Sequence, residues 1–417
     1  MNKILKIVSL IVGILVLIII MMAVFRICPP EGPWPSPPWC SDNSVSQNSL
    51  HFNITNETTS NNQLKPIYGQ NLTSIYRPNF QKGVTFGAMS WKEEDKKLVD
   101  ENIKTLKEFN VKQVILIPDW FVFPDMDGTE IKPYYDSKTF PNPTGWITST
   151  LTDDELNSII KKLNHANIKV ILKPHIDPID FGMNPESSRG SLSPTNWTEF
   201  FNNYEKFILH YAELAQKDNI SIFVVGTELD TVVRDMPNAK ERWEDLIIKV
   251  RKIYSGKLTY SVGCFDNCYS PSQVPFWDSL DYIGFEPYFG LTNTNEPTLE
   301  EMKKAFDKKF EQYAKPLYIK YQKPILLTET NIYSKDGANK NPLGTVSDKP
   351  DYKEQADYYE AMFESISNKE WIHGIYWWGW YLGTTSPKWN KTNDLSDSFV
   401  RKPAGQVMKF WYSKIKN

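Results

Sequence analysis

Residues 220–230 read ISIFVVGTELD and open with a run of β-branched and aromatic residues. Such a run is typical of a strand that is buried on both faces. A strand of this kind has no solvent for a charge inside it, so Glu228 is expected just past its C-terminal end. A second stretch, residues 323–329, reads KPILLTE and ends in Glu329. The two stretches therefore predict two buried strands that each end in a carboxylate.

From residue 83 onwards, short apolar runs alternate with amphipathic segments. Besides the two stretches above, the predicted strands are residues 83–88, 113–117, 168–172, 258–262, 281–285 and 372–377. Thr152 with Glu155, and Thr298 with Glu301, have the spacing of capping boxes that begin helices. Eight strands alternating with helices predict an α/β fold, a (β/α)8 TIM barrel over residues 83–417. A doubly wound open sheet is the alternative, but residues 87–90, GAMS, are not a phosphate-binding turn.

Two segments without this alternation precede the predicted barrel. Residues 7–25 carry no charge and are long enough to cross a bilayer as a helix, and two lysines precede them. We therefore predict a transmembrane anchor over residues 1–27, a linker over 28–82, and a catalytic domain outside the cell. A cleaved signal peptide is the alternative, and it also exports the protein. The linker is rich in Pro, Ser and Asn, and the sequons at Asn53, Asn56 and Asn71 suit an exported glycoprotein.

Charge and cysteine content restrict the class of protein. The chain has 47 basic and 50 acidic side chains, which argues against nucleic acid as a partner. Its four cysteines form two close pairs, Cys28 with Cys40 and Cys264 with Cys268. In an exported protein this spacing favours two disulfides, and zinc is disfavoured because no histidine lies near either pair. No metal or cofactor is expected, and we expect a monomer.

Polar and aromatic residues collect where the predicted strands end. In a barrel of this type, the C-terminal ends of the strands form the active site. The residues at these ends are Trp91, Asp119, Trp120, His175, Asp177, Glu228, Tyr288, Glu329 and Trp378. Each of them taken singly has an ordinary structural role as its alternative. Their joint occurrence predicts a site, and two carboxylates that meet there suit the cleavage of a glycosidic bond.

The order of these strand ends resembles clan A of the retaining glycoside hydrolases. Within the clan, the phrases GVTFGAMSW, ILKPHID, VVGTELD, DYIGFEPYF, ILLTETN, GIYWWGW and RKPAGQV resemble family 113, the endo-β-1,4-mannanase family. The resemblance covers about residues 83 to 410. It implies a (β/α)8 barrel that binds a polysaccharide or oligosaccharide and cleaves β-1,4-linked mannan or a related β-linked polymer.

The resemblance also implies roles for individual residues. Glu228 would be the general acid/base, Glu329 the nucleophile, and Tyr288 the hydrogen-bond donor that orients Glu329. The residues expected to bind sugar are Trp91, Trp120, Lys173, His175, Asp177, Glu286, Trp378 and Trp380. Thr227 departs from the asparagine that much of the clan has before the acid/base, and Glu286 replaces a shorter acid.

Three alternatives to a mannanase are left open by the sequence. One is a clan A hydrolase of other specificity, such as a β-glucanase or an exo-mannosidase. Another is a catalytically silent carbohydrate-binding protein at the cell surface. A metal-dependent hydrolase is the most remote, since His175, Asp177 and Asp180 are its only local cluster of ligands.

Overall fold

The computed structural model describes residues 73–87, 96–123, 128–135, 150–178, 188–265, 268, 270–344, 347–385 and 393–417. All of them belong to one compact unit, Pro66–Asn417. No helix within these ranges is long and apolar enough to cross a membrane. The predicted anchor, residues 1–27, and the pair Cys28 and Cys40 lie outside the described residues, so both remain predictions.

The predicted barrel is confirmed: eight strands close into one barrel, and each is parallel to its neighbours. In chain order they are β2 (Gln81–Phe86), β3 (Gln113–Leu116), β6 (Lys169–Leu172), β8 (Ile222–Thr227), β9 (Lys257–Cys264), β10 (Ile283–Pro287), β11 (Ile325–Leu327) and β12 (Ile372–Trp380). Most positions in these strands are buried, as expected for a sheet covered on both faces.

Helices follow the strands and cover the barrel. They are α1 (Val99–Glu108), α2 (Asp153–His165), α3 (Trp197–Lys217), α4 (Asp230–Arg234), α5 (Ala239–Ile253), α6 (Ser270–Gln273), α7 (Leu299–Lys309), α8 (Lys315–Tyr321), α9 (Tyr352–Ile366) and α10 (Pro403–Lys414). Both predicted capping boxes are present at the starts of α2 and α7. The side chains satisfy backbone N–H groups that a helix leaves without partners at its first turn.

Two cores stabilise this arrangement. The larger one lies between the barrel and the helices and includes Trp243, Trp377 and Trp411. The smaller one fills the inside of the barrel with Ile115, Ile117, Ile171, Ile222, Val224, Leu326 and Tyr376. The barrel is therefore packed rather than hollow, and a ligand can enter only at its ends.

Short strands extend the fold beyond the barrel at both ends. At the C-terminal ends of the barrel strands, β4 (Asp119–Val122) pairs with β5 (Ile131–Lys132) and, in parallel, with β7 (His175–Pro178). At the other end, β1 (Ile75–Tyr76) pairs with β13 (Ile415–Lys416). The folded unit therefore begins before residue 83, where the sequence placed the start of the barrel.

Candidate active site

The β4 and β7 extension brings together side chains that two different barrel strands carry. Pro118 and Pro174 lack the N–H that a regular ladder needs, so β3 and β6 stop and the chain resumes pairing one step further on. The resumed register sets Asp119 directly opposite His175. Both side chains are buried at the mouth of the barrel.

Glu329 lies at the centre of the polar cluster. It follows β11 and is 5% exposed. The Lys173 ammonium donates to its Oε1, and the Tyr288 hydroxyl donates to its Oε2 at 3.0 Å. Both oxygens of this carboxylate are therefore held by donors from other strands.

Lys173 connects Glu329 to a third glutamate. Its Nζ also donates to Glu286 Oε1 at 2.5 Å, and Thr328 Oγ1 donates to the same oxygen at 3.2 Å. Burial alone would lower the pKa of Lys173, but the two carboxylates beside it raise that pKa. Burial raises the pKa of Glu286 well above its usual range, and nearby Glu329 adds to this effect.

Glu228 begins the chain's turn away from β8 in a left-handed conformation, with a φ of 49°. A residue other than glycine adopts this conformation at a cost, which is common at functional sites. The strand is irregular where it pairs with β9, and Glu228 N donates to Ser261 O at 2.9 Å. Burial raises the pKa of Glu228, Arg189 opposes this, and Glu329 adds to it. The environment therefore favours the protonated acid.

Arg189 is a residue of the site that sequence reasoning missed. Its guanidinium donates to both oxygens of Asp177, at 3.0 and 2.9 Å, and to Glu228 Oε2 at 2.9 Å. Arg189 begins a short 3-10 turn, Arg189–Ser191, far along the chain from the end of a strand. No pattern in the sequence therefore pointed to it.

His175 and Asp119 form a second buried polar part of the site, beside the one that Lys173 and Glu286 form. His175 Nδ1 is 3.8 Å from Asp119 Oδ1, and its Nε2 is 4.0 Å from Glu329 Oε1. Three buried atoms make no hydrogen bond within the described ranges: the two ring nitrogens of His175 and Asp119 Oδ1. Burial lowers the pKa of His175 and raises that of Asp119, so both favour their neutral forms. These atoms are free to bind hydroxyl groups of a ligand.

The predicted aromatic platforms have different outcomes. Trp378 is partly exposed and packs on the barrel's inner core. Trp380 is completely buried and donates its indole N–H to Asn102, so it presents no face to a sugar. Trp120 packs against α3, with its ring 5.3 Å from that of Phe207, rather than standing free in the cleft. Trp91 lies outside the described residues.

Cys264 and Cys268 form the predicted disulfide at the end of β9. Between them, Phe265 is 44% exposed and stacks on Tyr288, with ring centroids 6.1 Å apart. Sequence reasoning did not include Phe265 in the site. An aromatic residue directly after a strand end and inside a cysteine pair is a signal that could have identified it.

Two clusters of three side chains in the described ranges are close enough together to hold a metal ion. The first, Asp119 with His175 and Asp177, has atoms within 4.8 Å of one another, but Arg189 already occupies both oxygens of Asp177. The second is Asp336 with Asp351 and Glu354. There, Asp351 caps α9 and Glu354 accepts backbone N–H groups, so both carboxylates have structural roles.

The opposite end of the barrel also has an opening. A cavity of about 540 Å³ is lined by residues that begin the strands, including Gln81, Gln113, Lys169 and Lys257. The glutamates are not among its lining residues. The C-terminal mouth is the better candidate site because the buried carboxylates and their cationic partners converge there.

The fold and the polar cluster define the class, a (β/α)8 barrel enzyme whose carboxylates meet at the C-terminal ends of its strands. The sequence profile of glycoside hydrolase family 113 matches residues 84–398. The chain belongs to this family and is a glycoside hydrolase. No curated protein sequence matches the chain.

Several solved structures are similar to this one. A complex of a GH113 beta-1,4-mannanase is 26% identical, has a TM-score of 0.64, and aligns over 80% of this chain and 99% of its own. A GH113 beta-mannanase from Alicyclobacillus acidocaldarius, in complex with ManMIm, is 23% identical, with a TM-score of 0.64 over 80% and 97%. A hyperthermostable endo-1,4-beta-D-mannanase from Thermotoga petrophila is 11% identical, with a TM-score of 0.54 over 80% and 99%. The last two structures are similar to this one in fold alone.

Proposed function

We propose that the protein is a retaining glycoside hydrolase that cleaves β-1,4-linked mannan or a related β-linked polysaccharide. One observation carries the proposal: Glu329 receives Lys173 and Tyr288 on its two oxygens, beside a partly buried Glu228 whose pKa is raised. A double displacement needs one ionised and one protonated carboxyl group at the same bond. The likeness to GH113 mannanases supports mannan as the polymer.

In this mechanism Glu329 is the nucleophile. The ammonium of Lys173 and the phenol of Tyr288 stabilise its carboxylate and fix its orientation towards the anomeric carbon. Attack forms a covalent glycosyl–enzyme bond and breaks the glycosidic bond. The Lys173 ammonium keeps its hydrogen bond to Glu286 Oε1 when Glu329 becomes an ester.

Glu228 is the general acid and then the general base. Arg189 holds Oε2, so Oε1 is the atom that gives its proton to the leaving oxygen. Once Glu329 is esterified, its negative charge no longer raises the pKa of Glu228. Glu228 can then take a proton from the water that hydrolyses the intermediate.

The remaining polar groups bind the sugar at the cleavage position. His175 and Asp119 offer buried atoms to its hydroxyls, and Lys173 is within reach of the same space. Trp378 is the proposed floor of this space, because it is partly exposed and a flat indole suits the apolar face of a pyranose ring. Thr227 Oγ1 is buried and has no partner in the described part of the chain, so it is another candidate contact.

The test is hydrolysis of a panel of β-linked polysaccharides by the wild type, Glu228→Gln and Glu329→Gln. We expect activity on β-1,4-mannan and a loss of at least about 100-fold in each variant, since each removes one of the two essential carboxyl groups. Activity on another β-linked polymer would favour the alternative specificity. Sugar binding without hydrolysis in the wild type would favour a binding protein instead.

Azide distinguishes the two carboxylates. In Glu228→Ala, with an activated aryl β-glycoside, azide should accelerate turnover and give the β-glycosyl azide, because it attacks the covalent intermediate. In Glu329→Ala, it should give the α-glycosyl azide, because it replaces the nucleophile. The reverse pattern of products would exchange the two assignments.

A further inference from the structure

Phe265 is an exposed aromatic side chain at the edge of the candidate site. It follows β9 directly, and 44% of its surface is exposed. Its ring lies nearly parallel to that of Tyr288, at an angle of 13°. Tyr288 in turn contacts Glu329, so Phe265 is one side chain away from the proposed nucleophile.

The ring also borders Glu228. A Cβ added at Gly263 would lie 2.7 Å from Glu228 Oε1 and 2.7 Å from Phe265 Cε2. Because Gly263 has no side chain, Glu228 Oε1 and the edge of the Phe265 ring both lie next to the same open space. Arg189 holds the other oxygen of Glu228, so Oε1 is the one that faces Phe265.

The loop that carries Phe265 is held on several sides. The Cys264–Cys268 disulfide closes it, and Cys268 N donates to Phe265 O at 3.0 Å. Tyr288 N donates to Cys264 O at 3.1 Å, which ties the start of the loop to β10. A side chain on such a loop loses little conformational freedom when it binds a ligand.

We propose that Phe265 is the sugar-binding platform on the leaving-group side of the bond that is cleaved, and this inference rests on the proposed function. The glycosidic oxygen must approach Oε1 of Glu228 to take its proton. The pyranose ring attached to that oxygen then lies beside Phe265. Its apolar C–H face packs on the exposed aromatic surface, which removes both from water.

The test compares a leaving sugar with a leaving group that has no ring. We would measure kcat/KM of the full chain on β-1,4-mannotriose and on β-mannosyl fluoride, for the wild type, Phe265→Ala and Phe265→Tyr. Both substrates use the same glutamates and the same sugar at the cleavage position. Phe265→Ala should lose about 10-fold on mannotriose and less than about 2-fold on the fluoride. Phe265→Tyr keeps the aromatic face and should stay within about 2-fold on both.

Two results would overturn the inference while the wild type remains active. An equal loss on both substrates would mean that the ring supports Tyr288 or Glu228 rather than the leaving sugar. No loss on either would mean that the ring binds nothing. Failure of the proposed function looks different, since the wild type would then cleave neither substrate. If the wild type prefers another β-linked sugar, the same pair of substrates is made from that sugar.

A second variant tests whether the disulfide that closes the loop holds Phe265 in place. Cys268→Ser removes the disulfide but leaves the Phe265 ring and the buried Cys264 in the chain. A mobile platform binds the leaving sugar more weakly. We therefore expect kcat/KM to fall about 3-fold on mannotriose and not at all on the fluoride, a smaller loss than in Phe265→Ala. A loss on the fluoride equal to that on mannotriose would contradict the role of the loop.

Discussion

Glu228 and Glu329 differ in the charges that contact them. Glu329 receives an ammonium and a phenol. Among the described residues, Glu228 receives only the guanidinium of Arg189, which Asp177 already neutralises in part. Burial and Glu329 raise the pKa of Glu228 despite that guanidinium. Arg189 therefore determines how far the pKa rises while it fixes which oxygen carries the proton.

Replacing Arg189 should change the pH dependence of activity. The proposed reaction needs protonated Glu228, so activity is present below its pKa and lost as the pH rises through it. Arg189→Met removes a positive charge that lowers this pKa, so the basic limb of kcat/KM against pH should move to higher pH. Arg189→Lys keeps the charge and should leave the limb near that of the wild type. A limb that moves to lower pH in Arg189→Met would contradict the assignment of Glu228 as the acid.

At the scale of elements, strand β8 and its neighbours position the acid/base. Gly226 lies where three large side chains converge on the strand. A Cβ there would be 2.8 Å from Tyr260, 2.9 Å from Trp243 and 2.9 Å from Tyr204 Oη. Gly226 also lies within the irregular pairing with β9, between Val224 and Thr227, and the chain then turns at Glu228. The position of the carboxylate therefore depends on the absence of a side chain two residues earlier.

Gly226→Ala tests this dependence. Overpacking should lower the free energy of unfolding by about 1–3 kcal/mol, measured in urea. The shift of the strand should also lower kcat in the fraction that remains folded, because Glu228 follows it. Thr227→Ser is the control, since it only deletes a methyl group and should cost about 1 kcal/mol. An unchanged kcat in folded Gly226→Ala would show that Glu228 is positioned independently of the strand.

At the scale of the whole molecule, the two ends of the described chain close the bottom of the barrel. Beside the pairing of β1 with β13, Arg77 donates to the carbonyl oxygens of Ile366, Ser367, Lys369 and Ile372, at 2.9, 2.9, 2.9 and 2.5 Å. These carbonyls lie at the last residue of α9, in the turn that follows it, and at the first residue of β12. Residues before 83 are therefore part of the folded unit, far from the candidate site.

Arg77→Met should destabilise the fold without changing the chemistry. It leaves buried carbonyl oxygens without their donor, so we expect a loss of about 3 kcal/mol in the free energy of unfolding. The kcat of the folded enzyme should not change. Lys416→Met, in the exposed part of β13, is the matched control and should remain within about 0.5 kcal/mol of the wild type. Equal stability of the two variants would mean that this end of the chain contributes little.

The alternation of short apolar runs with capped amphipathic segments predicted the eight-stranded barrel, because each local pattern matches one element of a repeating architecture. The strand-end rule also predicted that Glu228, Glu329, Tyr288 and His175 would share one region, and the family resemblance added Lys173. Such residues can be read from the sequence because the fold fixes which end of each strand they occupy.

The partners of these residues were decided only by the tertiary structure. Arg189 reaches Glu228 from a turn, and Lys173 contacts Glu286 and Glu329, which lie more than a hundred residues away along the chain. The same is true of the aromatic residues: Trp380 is buried against α1 and Trp120 packs on α3, while Phe265 stays exposed. The spacing of residues along the sequence predicts which of them lie at the end of a strand. The direction of each side chain depends instead on local bulges and on the neighbouring side chains that fill the space around it.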